Sequence, residues 1–218
     1  LLGYEATLIT DRHALPTLEC GCELLGLDRA TVVEFPFDED LAAPRGPGRG
    51  IDRWIEEFLA VGRGRGLSHL IAIERPGPSH TLDSISRCDA ASVGQFAAEV
   101  PPADRDVCHN MRGASIDAHT AKTHRLFEAA GNRQPRITTI GIGDGGNEIG
   151  MGRFAWQALK QAIAGGVGGR IACRIETDFT LIAGVSNWGA YALALAVARL
   201  WGRELNDRWL EPEGQAEL

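Results

Sequence analysis

Residues Ile137 to Gly152 read ITTIGIGDGGNEIGMG, a β-branched run that breaks into a glycine-rich loop carrying Asp144, Asn147 and Glu148. Ile137, Thr138, Thr139, Ile140 and Ile142 have strand composition, and Phe154 to Ala164 beyond the loop has helix composition. The loop is therefore predicted at a strand-to-helix junction. In an open α/β sheet such junctions stand at the carboxyl ends of strands, where ligands collect. Six glycines between Gly141 and Gly152 let the backbone approach a bound molecule closely.

Three readings of this loop compete. Gly141, Gly143 and Gly146 trace the G-x-G-x-x-G outline of a dinucleotide site. Against it, Asp144 and Glu148 would set two negative charges beside a pyrophosphate, and no strand ends in an acidic residue about 20 residues on. A tightly packed loop whose carboxylates cap the next helix is the structural alternative. A small-molecule or cation site is the third.

The chain has 218 residues, 44% of them hydrophobic and 23% charged, which suits one large soluble α/β domain. A net charge of −7 and the lack of any lysine or arginine cluster exclude a nucleic-acid surface. Five cysteines without C-x-x-C spacing indicate neither a disulfide framework nor a zinc ribbon, and point to a reducing compartment. No apolar run reaches the ~20 residues of a membrane span, and no signal peptide is visible. The chain opens on Leu1, so residues before it are expected either to have been removed or to lie outside the given sequence.

Working outward, Glu5–Thr10, Thr31–Phe35, His69–Glu74, Arg170–Ile175 and Phe179–Ala183 read as further strands. Helices are predicted over about 14–25, 51–61, 119–130 and from Gly189 to Trp201. Pro36–Gly50 reads as a surface connection. Ser79–His119 lacks periodicity and reads as a long functional loop holding Asn110 and Arg112, a donor–acceptor amide and a fixed positive fork. Cys108 and His109, as sequence neighbours, point apart and do not form a nucleophile–base pair. His119 and His124 do not share a helix face and read as solvated.

Polar residues recur just after the strand candidates: Asp11, Glu74 with Arg75, Asp144 to Glu148, and Ser186 with Asn187. Asp11, Ser186 and Asn187 each also fit a helix N-cap, and Glu74 with Arg75 fits a surface ion pair. In a three-layer α/β fold, with a mainly parallel sheet and helices on both faces, the carboxyl ends of the strands share one edge. These loops would then converge on a single pocket. Lysine occurs only at 122 and 160, outside these loops, so Schiff-base and P-loop chemistry are disfavoured. What remains is chemistry on a small, carboxylate-bearing molecule. Arginine and amides would orient it, and carboxylates would move protons or hold a hard cation.

Glu74-Arg75-Pro76-Gly77, Asn110-Met111-Arg112-Gly113, the run from Gly141 to Gly152, and Gly184-Val185-Ser186-Asn187-Trp188-Gly189 resemble the motifs of the D-glutamate cyclase family, in that family's order. The resemblance implies a single α/β glutamate cyclase-like domain over residues 1–218. It implies a lyase that reversibly converts D-glutamate to 5-oxo-D-proline and water. Two departures stand out. The family begins with an additional strand and glycine-rich turn that would lie upstream of Leu1, and Val107-Cys108-His109 replaces the usual aromatic residues before Asn110.

On this reading Asp144, Glu148 and Asn147 are the expected catalytic residues. Asp11, Glu74, Arg75, Asn110, Arg112, Gly145, Gly146, Ser186 and Asn187 are the expected substrate contacts. Asp144 and Glu148 would hold a divalent cation, Mg or Mn, if one is used. The expected partner is a small molecule such as D-glutamate, with neither nucleic acid nor membrane, and a homo-oligomer stays open. Location would be cytoplasmic in a bacterium and the mitochondrial matrix in a eukaryote. Two other function classes stay open: a non-catalytic module binding an amino acid or cyclic metabolite, and a nucleotide-binding oxidoreductase.

Overall fold

A computed structural model describes residues 5–28, 31–41 and 49–202. Its elements run β1 (Leu8–Thr10), α1 (Leu15–Leu24), β2 (Val32–Glu34), α2 (Arg49–Ala60), β3 (His69–Ile73), α3 (Leu82–Cys88), α4 (Val93–Glu99), α5 (His124–Ala130), β4 (Thr138–Gly143), α6 (Trp156–Ala162), α7 (Gly168–Ile171), β5 (Phe179–Ile182) and α8 (Ser186–Leu200). The expected three-layer α/β arrangement is present: every strand pairing is parallel and helices flank the strands. Among the described residues the strands form two sheets instead of one, β1-β2 and β3-β4-β5. No described helix is long and apolar enough to cross a membrane.

Side-chain alternation on β3 sets the layers. Leu70 and Ala72 are buried in two apolar clusters, while Ile71 and Ile73 point to the opposite face. Ile51, Ile55 and Leu59 of α2 recur at helical spacing and pack with Leu70, Leu126, Ala130 and Ile137 in one cluster. Trp156 and Leu159 of α6 join Ala72, Ile85, Phe96 and Ile149 in the other. On the far side Gly189 of α8 lies so close to Ile142 that a Cβ there would sit 2.8 Å from Cγ2.

Three expectations fail for physical reasons. The segment 79–119 contains α3 and α4, each seven residues long, too short to show a helical period in the sequence. Their anchors, Ile85 and Phe96, are completely buried, and Thr81 with Ser84 forms a reciprocal cap at the start of α3. Arg170–Ile175 is not a strand. It begins in the single turn of α7 and then bonds to loops: Cys173 N–H to Gly146 O at 3.0 Å, and Arg174 N–H to Pro78 O at 3.0 Å. A short apolar run buried on every side has strand composition without a strand partner. His124 is also buried, not solvated, and its surroundings with nearby Arg174 push its pKa down to about 3.

The glycine loop folds back beneath β4. A Cβ on Gly141 would lie 2.3 Å from the Ile149 carbonyl and 2.7 Å from Gly150 Cα, both backbone atoms. Gly141→Ala is therefore expected to destabilise the chain by about 2–3 kcal/mol, the overpacking range. Urea denaturation of the variant at unchanged m-value checks this, and an unshifted midpoint would show that the loop can retreat.

Candidate active site

β4 ends at Gly143 and the next five residues turn sharply, with Gly146 at φ 95°. Glu148 curls back into its own loop: Oε1 accepts the Gly145 N–H at 2.9 Å and Oε2 accepts the Gly146 N–H at 2.8 Å. The carboxyl is 1% exposed. Burial raises its pKa, the two amides work in the opposite direction, and the Glu74 charge adds to the rise. The loop after β3 is stitched to this turn by Gly77 N–H to Asn147 O and Ile149 N–H to Arg75 O, each 2.9 Å.

That stitching brings Glu74 in. Its backbone holds a left-handed conformation, φ 53°, and donates to Ile142 O at 3.0 Å. A non-glycine residue there carries strain of about 1–3 kcal/mol, a feature that clusters at ligand sites. Glu74, Asp144 and Glu148 each place one carboxylate oxygen within 4.8 Å of the others. Glu74 and Asp144 are exposed while Glu148 is buried, so the group opens to solvent on one side. Asp144 also receives the Ser186 N–H at 3.3 Å, which sets the first turn of α8 against the cluster. Ser186 is 1% exposed and its Oγ has no hydrogen-bond partner among the described residues, while Asn187 next to it is exposed.

Several expected substrate contacts have other employment. Arg75 uses all three guanidinium nitrogens internally: Nη1 lies 2.7 Å from Asp11 Oδ2, Nε donates to Thr123 Oγ1 at 3.0 Å, and Nη2 donates to Ala121 O at 2.8 Å. Asp11 is 3% exposed. Burial alone would raise its carboxyl, but Arg75 and backbone donors outweigh that and hold it below the usual range. The pair therefore ties the end of β1 to the end of β3. Asn147 spends its amide on the His109 carbonyl at 2.8 Å. Asn110 Oδ1 accepts the N–H groups of Arg112 and Ala114 at 2.9 and 3.1 Å, which shapes the loop that sets Met111 over Gly145. Arg112 stays exposed on that loop.

The amides of Gly145 and Gly146, two of the expected substrate contacts, donate to Glu148. That also removes the dinucleotide reading. A pyrophosphate would need those N–H groups, and a helix start where the chain instead waits until Trp156. Cys108 is buried and its thiol pushed up to about 12, so it is no nucleophile. Sequence reasoning paired Asp144 with Glu148 but missed Glu74 as the third carboxylate. Its position right after a strand, with an arginine and Pro-Gly following, was the available signal.

A family model described as "D-glutamate cyclase-like, C-terminal" matches residues 96–217. The human protein "D-glutamate cyclase, mitochondrial" is 36% identical over 142 residues, which is 65% of this chain and 18% of that protein. The chain thus spans about a fifth of that relative's length. With more than half of its residues matched by the family model, the chain belongs to the D-glutamate cyclase-like family.

Proposed function

We propose that this chain is a hydro-lyase that closes a glutamate-like amino acid into its five-membered lactam and opens it again, with D-glutamate and 5-oxo-D-proline as the pair. The observation that carries the reading is the cluster of Glu74, Asp144 and Glu148 at the carboxyl ends of β3 and β4. Its support from outside the chain is the name of the human relative.

The proton count suits such a cluster. In the closing direction the α-ammonium loses two protons, its nitrogen bonds to the carbon of the γ-carboxylate (Cδ), and one oxygen of that carboxylate gains two protons, breaks from Cδ and departs as water. Nothing is oxidised or reduced, so the protein only carries protons from nitrogen to oxygen. Asp144, open to solvent, takes the proton from nitrogen. Glu148, whose raised pKa favours the protonated form, delivers to the departing oxygen. Exposed Arg112 is the guanidinium left to receive the α-carboxylate, since Arg75 is committed to Asp11. Asn187, exposed and next in sequence to the Ser186 whose N–H donates to Asp144, would supply a polar contact with the substrate.

Three carboxylates offering one oxygen each also fit a hard divalent cation such as Mg or Mn. Bound there, it would polarise the γ-carboxylate and balance the local negative charge. Glu148 would then share oxygens that already accept amide N–H groups.

The test follows D-glutamate and 5-oxo-D-proline separately by chiral chromatography, with and without Mg or Mn. The expected result is one equilibrium mixture reached from both sides. Thermal stabilisation by either compound without interconversion would instead identify a binding module.

A further inference from the structure

A second polar site lies on the segment that Arg75 grips. A cavity of about 210 Å³ opens there, its walls made of three carboxylates, three cations and His124. Another of about 180 Å³ shares two of its residues, Asp117 and Lys122. At ~30 Å³ for each liquid water, the first has the volume of about seven waters, which suits a small metabolite and not a nucleotide. None of Glu74, Asp144 and Glu148 lines either cavity.

His124 marks the cavity as a binding site. Its ring is 5% exposed, and Nδ1 has no hydrogen-bond partner among the described residues. Burial above all, and then the charges of Arg174 and Arg125, keep the imidazole neutral, so one ring nitrogen donates and the other accepts. Buried polar atoms in folded proteins are paired, and one left alone calls for a partner from outside the chain. The backbone agrees. Among the described residues two non-glycine positions have positive φ, Glu74 in the carboxylate cluster and Asp106 in the wall of this cavity, at 53° and 57°. Strain of that kind gathers where ligands bind.

The charges in the wall select the ligand. Arg174 is fully engaged: Nε and Nη2 lie 3.0 and 2.9 Å from Asp106 Oδ1, and Nη1 lies 2.7 Å from Glu128 Oε1. Arg125 pairs with Asp52 and Glu128. Two groups keep spare capacity. Lys122 Nζ carries three N–H groups, and its ion-pair partner among the described residues is Asp38 Oδ2 at 3.0 Å. Asp117 Oδ1 accepts the Cys108 N–H at 3.1 Å, and among the described residues no cation pairs with Asp117. A plain anion would meet Asp117, and a plain cation would meet Lys122. A molecule with both charges satisfies both. We infer that this cavity binds a small polar amino acid as its zwitterion, with the ammonium on Asp117, the carboxylate on Lys122 and a donor–acceptor side chain against His124.

This cavity is linked to the carboxylate cluster. Lys122 and His124 alternate in sequence with Ala121 and Thr123, which hold the Arg75 guanidinium. Arg174 follows Cys173, whose N–H bonds to Gly146 O in the glycine loop. Occupancy would therefore bear on Glu74 and Glu148, a consequence that rests on the proposed function; the binding does not.

Amide chemical shifts of the isotope-labelled 218-residue chain test the binding without any activity readout, with racemic serine and racemic asparagine as probes. The expected shifts gather on residues 117–125 and on Arg174. N-acetylserine lacks the ammonium and serinamide lacks the carboxylate, so each should bind about tenfold or more weakly for want of one charge-assisted contact. Asp117→Asn keeps an oxygen for the Cys108 N–H but removes the charge, and it should weaken serine binding by about the same factor. If the spectrum of that variant shows that it has not folded, Lys122→Gln, on a half-exposed side chain, takes its place with the same expected loss. Silence from both amino acids up to about 10 mM, weaker than a millimolar site, overturns the inference. Unchanged affinity in the folded variant overturns it too. Equal binding of N-acetylserine or serinamide would make this a site for a plain anion or a plain cation and likewise overturns it. Shifts confined to Gly145, Gly146 and Asn187 do the same, since the amino acid would then sit at the carboxylate cluster.

Discussion

Asp144→Asn should abolish lactam formation while leaving the fold intact, lowering kcat/KM by roughly 10²–10⁴-fold, the range for a lost general base. The geometry separates the two effects. Asp144 is exposed, and among the described residues its hydrogen bond is the acceptor contact with the Ser186 N–H at 3.3 Å. An asparagine oxygen can accept that same N–H, so the start of α8 keeps its anchor. What disappears is the charge, and with it the ability to take a proton from the substrate nitrogen. Losing a negative charge at a helix N-terminus should cost at most about 1 kcal/mol of stability. Initial rates in both directions, read beside a thermal melt, check the claim. Near-wild-type turnover would remove Asp144 from the mechanism. A collapsed melt would show that the charge holds the site together and does not do chemistry.

Much of the fold was legible because its signals are local. The β-branched runs of β3, β4 and β5 are each bounded by polar or glycine residues, and the parallel arrangement follows from their alternation with helices. The site was legible as a set of loops and not as a set of bonds. A glycine-rich loop full of amides has the same sequence whether those amides meet an outside anion or, as here, the carboxyl of Glu148 three residues on. Arg75 reads as a free substrate clamp until the fold brings Asp11 to it. Asn147 and Asn110 likewise turned inward, to the His109 carbonyl and to their own loop. The sheet aligns strand ends and so adds Glu74 to the pair of Asp144 and Glu148 that the loop sequence shows by itself.

Arg75→Ala should destabilise the described structure by about 3–5 kcal/mol at neutral pH, the cost of leaving one member of a buried ion pair alone. Asp11 is 3% exposed, and the arginine is the only cation that contacts it among the described residues. The variant also loses the donors to Thr123 and to the Ala121 carbonyl, which fix the segment leading into α5. For a chain of this size the melting temperature should fall by about 10 °C.

The pH dependence distinguishes this cause from lost packing. In the parent, Asp11 has a folded pKa below the unfolded value, so the stability it contributes is present above the unfolded pKa and fades as pH falls through the folded one. In the variant, burial without a cation raises the folded pKa, which makes Asp11 a net cost near neutrality. Acid then relieves that cost by protonating the carboxyl. The gap between variant and parent should therefore narrow as pH falls from 7 towards ~4. Adding Asp11→Asn to Arg75→Ala should recover stability at neutral pH, because the unpaired charge is gone. A gap of equal size at both pH values, with no recovery in the double variant, would mean that Arg75 holds the ends of β1 and β3 together through its packed stem, and that its charge is incidental.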